Sequence, residues 1–88
     1  MRMSTDTMHG LVRSFVRIGA LPEAETLCQS LYKASDHPHW PATLVLLVNG
    51  MTQAGQVQQA KAWLPALQQV APQDSITLWL TQLAEPAG

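Results

Sequence analysis

The residues best suited to chemistry gather near the middle of the chain, where Asp36, His37 and His39 surround Pro38 and Cys28 lies a short way upstream. A thiolate, imidazoles and a carboxylate can all ligate zinc, but a zinc site normally presents about four such groups at recognisable spacing. This loop lacks that pattern and reads as a polar turn. A Cys28–His nucleophile pair fails for a different reason. Cys28 falls at a helix-seam position, where a small thiol packs as an apolar group. Glu23 and Glu25 lie in one helical turn and point apart, so they are not an acid–base pair. No glycine-rich loop could cradle a phosphate. The chain is expected to catalyse nothing and to hold no metal or cofactor.

Composition narrows the remaining classes. Charged residues make up 12% and hydrophobic ones 47%, against about 25% charged in an average soluble domain. Part of the surface is therefore apolar or merely polar, as at an interface, although the many Gln, Thr and Ser residues offer a plainer route to solubility. The net charge is −1. Arg13 and Arg17 stand one helical turn apart, and two arginines do not make a phosphate-tracking surface, so nucleic acid is not an expected partner. The start, Met1 to Asp6, lacks the apolar core of a signal peptide, and the apolar run Leu44 to Val48 is too short to cross a bilayer. With Cys28 as the single cysteine, no internal disulfide can form, and the cytoplasm, where a lone thiol stays reduced, is the expected location.

The elements that position these groups read as helices. Met8, Leu11, Val12 and Phe15 repeat at i, i+3, i+4 and i+7 over a helix from about Thr5 to Ile18, which Gly19 stops. A second helix opens at Leu21–Pro22, with proline in its first turn, and ends between Tyr32 and Ser35. Pro38 and Pro41 bound a loop containing Trp40, so the third helix is expected from Ala42 to Ala54, closed by Gly55. The fourth covers Val57 to Val70, with Pro65 predicting a kink or a break. A last helix, Ile76 to Ala84, is capped by Asp74 or Ser75 and presents Ile76, Trp79, Leu80 and Leu83 on one face. The fold class is all-α in a single domain, 1–88.

Two of these helix pairs repeat. Gly19 and Gly55 stand 36 residues apart, and the same offset relates Ala24 to Ala60, Cys28 to Leu64 and Leu31 to Leu67. Upstream it relates Met8, Leu11, Val12 and Phe15 to Leu44, Leu47, Val48 and Met51. Glycine permits the tight turn, alanine lets antiparallel helices approach, and the larger residues fill the seams. The pattern resembles the tetratricopeptide repeat, a helical hairpin of about 34 residues. The unit 41–74 carries the resemblance best, through Leu44, Leu47, Gly55, Ala60, Leu64, Leu67 and Pro72; the unit 5–38 matches less well. Val12 and Val48 depart from the family, which favours glycine or alanine there. A generic helical bundle would share some of this apolar spacing. The segment 75–84 is left as a capping helix.

The resemblance implies a binding module. Family proteins line a concave groove with the first helix of each unit, which here gives His9, Arg13, Val16, Arg17, Val45, Asn49, Thr52 and Gln53. Trp79 is expected between cap and groove. About three repeats normally make a stable stack; two repeats and one helix leave an apolar remainder for a partner. In size and architecture the chain looks like the small chaperones of bacterial type III secretion. These hold a needle-forming subunit soluble, often with a second small co-chaperone. A structural subunit or homo-oligomer is the competing expectation.

Overall fold

A computed structural model describes residues 4–34 and 37–84, and among these the chain is helical with no strand. The helices are α1 (Thr5–Arg17), α2 (Leu21–Leu31), α3 (Trp40–Gln53), α4 (Val57–Ala62), α5 (Leu64–Val70) and α6 (Ser75–Ala84). A 3-10 turn, Tyr32–Ala34, prolongs α2. The Ser4 hydroxyl accepts the Thr7 N–H at the head of α1, and the Asp74 carboxylate accepts the Ile76 N–H at the head of α6. Each satisfies a donor that a helix start leaves unpaired.

The repeated glycines build the same turn twice. Gly19 and Gly55 both take φ +81°, a left-handed conformation open to glycine without steric cost. The N–H of Ala20 bonds the Phe15 carbonyl and that of Gly19 the Val16 carbonyl; Gln56 to Met51 and Gly55 to Thr52 repeat the arrangement. This is the Schellman closure, which reverses the chain immediately after the helix. It folds α2 back on α1, and α4 with α5 back on α3.

Proline acts differently at its two inner positions. Pro65 breaks the expected fourth helix: α4 ends at Ala62, Trp63 turns, and α5 begins at Leu64 with Pro65 in its first turn. Pro41, expected to exclude helix, instead sits in the first turn of α3, which begins at Trp40. A first-turn N–H has no intrahelical acceptor, so its absence costs nothing there. Ser35, the expected limit of the second helix, and Asp36, expected in a loop, lie outside the described residues, as do residues 85–88.

α3 is the centre of the molecule, packing against α1, α2, α4, α5 and α6. Its buried residues Leu44, Leu47, Val48 and Met51 meet Ala24, Cys28 and Leu31 of α2 and Ala60, Leu64 and Leu67 of the second hairpin in one core. The matched α1 residues Met8, Leu11 and Phe15 are only half-buried, because α1 lies at the end of the stack and α3 lies inside it. On α6 the buried strip is Ile76, Thr77 and Leu80. Trp79 and Leu83, expected on that strip, face away and are 43% and 44% exposed.

Candidate functional site

Two surfaces collect the chemically distinctive residues: an apolar groove beside α3 and a cluster of histidines where α1 meets the start of α3. The groove has a volume of about 390 Å3 and is lined by Pro41, Ala42, Val45, Leu46 and Asn49 of α3, with Ala71 and Asp74 from the approach to α6. Its α3 wall is the side of that helix turned from the core, so the repeat register decides which residues line it. Leu78 stands one turn beyond Asp74 and is half exposed. Of the residues expected to bind a partner, the groove brings together Val45 and Asn49. Thr52, half-buried, donates its hydroxyl to the Asn49 carbonyl at 2.8 Å, and Gln53 is exposed at the end of α3.

The α1 residues divide. Arg13 and Arg17 are exposed. Val16 is not free, because it packs on Gly50: a Cβ at position 50 would lie 2.8 Å from Val16 Cγ1 and 3.3 Å from Leu21 Cδ2. The close helix approach that Val12 and Val48 left in question is therefore made at Gly50, where a missing side chain admits a branched one.

His9, expected to line an open groove, is instead buried at 6% exposure. An inner helix of such a stack has two contact faces, one for its hairpin partner and one for the next unit. His9, Val12 and Val16, spaced at i, i+3 and i+7, form the second. That spacing was the signal that could have placed His9 inside. Its Nδ1 lies 2.6 Å from the Thr43 hydroxyl. His37 stacks on it with ring centroids 4.8 Å apart, and His39 stands 6.2 Å away. The His37 Nε2 pairs with Asp6 at 3.1 Å. A cleft of about 210 Å3 opens here, lined by Asp6, His9, Gly10, Arg13 and His39. No group of three or more His, Cys, Asp or Glu among the described residues is arranged to hold a metal ion.

The tryptophans also differ from expectation. Trp40, read as a loop residue, is fully buried at the start of α3. Trp63, read as partly outward, is buried too and donates its Nε1–H to the Glu25 carboxylate at 3.0 Å. That bond ties α2 to the break at Pro65, beside a second cleft lined by Glu25, Tyr32, Trp63 and Pro65.

Cys28 is buried, and burial first and the neighbouring Glu25 carboxylate second push its thiol up to about 12. At neutral pH it carries its proton, and the thiolate is the reactive species. Iodoacetamide at pH 7.5 is expected to modify Cys28 at least about tenfold more slowly in the folded protein than in denaturant, followed by mass spectrometry. Equal rates would mean that the α2–α3 seam opens readily.

Comparison with protein-family models, with curated proteins and with solved structures finds no match to this chain. No helix among the described residues is long and apolar enough to cross a membrane.

Proposed function

We propose that this chain is a protein-binding module that seats one amphipathic helix of a partner in the groove beside α3. The observation that carries the reading is an apolar groove next to a helix that exposes large apolar side chains. Val45 and Leu46 line a groove whose far wall leads into α6, and α6 leaves Leu78, Trp79 and Leu83 between 43% and 50% exposed. A helix laying its apolar stripe into such a groove is a recurrent mode of recognition. Arg13 and Arg17 stand exposed on the adjacent α1, so acidic groups on the partner's polar face complement them.

The resemblance to tetratricopeptide chaperones carries the finer proposal. The partner would be a small secretion or filament subunit, held in the cytoplasm before assembly with or without a second co-chaperone. Covering one helix of a self-polymerising subunit blocks its growth. Homo-oligomerisation is the second reading, favoured by one observation: α6, Ser75–Ala84, carries no charge beside its half-exposed Leu78, Trp79 and Leu83.

The test uses a designed peptide of about 18 residues with leucines at i, i+3, i+4 and i+7 and glutamates opposite. Binding is followed by anisotropy at pH 7.5, with oligomeric state measured by light scattering. Arg13→Glu is expected to weaken binding about three- to tenfold at low salt while shifting stability by no more than about 0.5 kcal/mol. A stable homodimer that does not bind the peptide would overturn the module reading in favour of the oligomer.

A further inference from the structure

The chain has 3 histidines, and the fold brings all of them to one place. His9 of α1 stacks on His37 at 4.8 Å, His37 lies 5.3 Å from His39, and Trp40 meets the edge of His9 at 6.4 Å. His9 and Asp6 reach this cluster from the first half of α1; the others belong to the segment that leads into α3.

The hydrogen bonds fix which nitrogen carries each proton. The Thr43 hydroxyl donates its only hydrogen to the His39 carbonyl at 2.8 Å. It must therefore accept in the 2.6 Å contact with His9, so His9 carries its proton on Nδ1. Its Nε2 is then a bare lone pair, buried and without a hydrogen-bond partner among the described residues. His37 is the reverse case. Its Nδ1 accepts the His39 N–H at 3.2 Å, so Nε2 carries the proton that is given to Asp6. On His9 the nitrogen that would take a second proton is badly placed for it, because the new N–H would be buried with no acceptor among the described residues.

We propose that the histidine cluster is a pH-operated clasp, which holds the first turns of α1 against α3 while His9 is neutral and loosens that hold as His9 gains a second proton on acidification. The charges around His9 favour release. On α1 they are Asp6 and Arg13, and on the approach to α3 they are His37 and His39. α3 itself contributes Trp40 and Thr43, neither of them ionised. One carboxylate among the described residues thus faces three imidazoliums and a guanidinium. Burial lowers the pKa of His9 from the usual 6.5, the charges of His37 and His39 lower it further, and Asp6 offsets part of this.

The direction of the pH effect follows. A base whose folded pKa lies below its unfolded value leaves the unfolded chain holding more protons once the pH drops under 6.5. Stability is full above that point and falls as the pH descends towards the folded pKa. At pH 5.5 a ring kept wholly neutral raises the unfolding equilibrium constant by at most about tenfold.

The experiment is imidazole nitrogen NMR of the whole chain with urea unfolding at pH 7.5 and 5.5. The expected result is the Nδ1–H tautomer for His9 and the Nε2–H tautomer for His37 at pH 7.5. His9 then titrates below 6.5, and the amides of Met8–Val12 lose protection at pH 5.5 beyond the intrinsic change in exchange. His9→Gln, neutral at every pH, is expected to remove most of the pH-dependent loss. Should that variant fail to fold, the double variant His37→Gln/His39→Gln gives the same discrimination by moving the His9 midpoint up towards 6.5. The clasp is overturned if His9 titrates at or above 6.5, or if α1 keeps equal protection at both pH values.

Discussion

Trp40→Ala is expected to remove about 3–5 kcal/mol of stability, the range for truncating a buried tryptophan. The side chain is fully buried, with its ring 6.1 Å from Tyr32, 6.3 Å from Trp63 and 6.4 Å from His9. Truncation therefore opens a cavity touched by α1, by the end of α2 and by the second hairpin at once, and no single element can close it. Domains of 88 residues have a total stability of about 4–13 kcal/mol on per-residue norms. Urea unfolding followed by circular dichroism should show a variant that is unfolded or close to it at 25 °C. Trp40→Phe separates volume from polarity. It keeps an aromatic body and deletes an indole N–H that is buried without a partner among the described residues, so its cost is expected below about 1.5 kcal/mol. Equal losses for the two variants would show that the indole nitrogen, and not packing, dominates.

Gly50→Val is expected to cost at least about 1–3 kcal/mol through overpacking. A Cβ at position 50 meets Val16 Cγ1 at 2.8 Å, and valine's branched side chain has little rotamer freedom with which to yield. The smaller Gly50→Ala tests the sign of two opposed effects. Alanine improves helix propensity by about 0.8–1.0 kcal/mol, while the steric conflict acts against it. If close packing of α1 on α3 dominates, Val16→Ala destabilises the natural protein but recovers stability in the Gly50→Val background. Additive losses from the two changes, measured by the same urea unfolding, would mean that α1 shifts as a body and that the contact does not limit the approach.

Much of this architecture was readable from residue types. Gly19 and Gly55 announced their turns because only an unsubstituted Cα enters the left-handed region freely, and both take it. Pro65 announced a kink or a break because the missing N–H and the ring clash operate in any helix interior, and the helix divides at Trp63. Pro41 misled because the same two effects vanish in a first turn, and nothing local said that α3 would begin as early as Trp40. The apolar stripe of α1 was plain, yet its second strip, through His9, Val12 and Val16, was hidden by a polar residue. Histidine alternates between surface and interior according to its partners, and Thr43 is 34 positions away in sequence from His9. The groove was half legible for the same reason. Val45 and Asn49 follow from the resemblance to the tetratricopeptide repeat, whereas Ala71 and Asp74 enter through the return of the chain after α5.

The position of α3 has a kinetic meaning. Each hairpin could form its own turn early, since helix closure over a few residues is fast, but neither hairpin can bury its seam until α3 is in place for both. The helix that packs against all five others is the expected folding nucleus. Substitutions along Leu44, Leu47 and Val48 are expected to slow folding in stopped-flow measurements, whereas those at the start of α1 or along α6 are expected mainly to speed unfolding. The outer edges are then the segments expected to open first beneath the global transition.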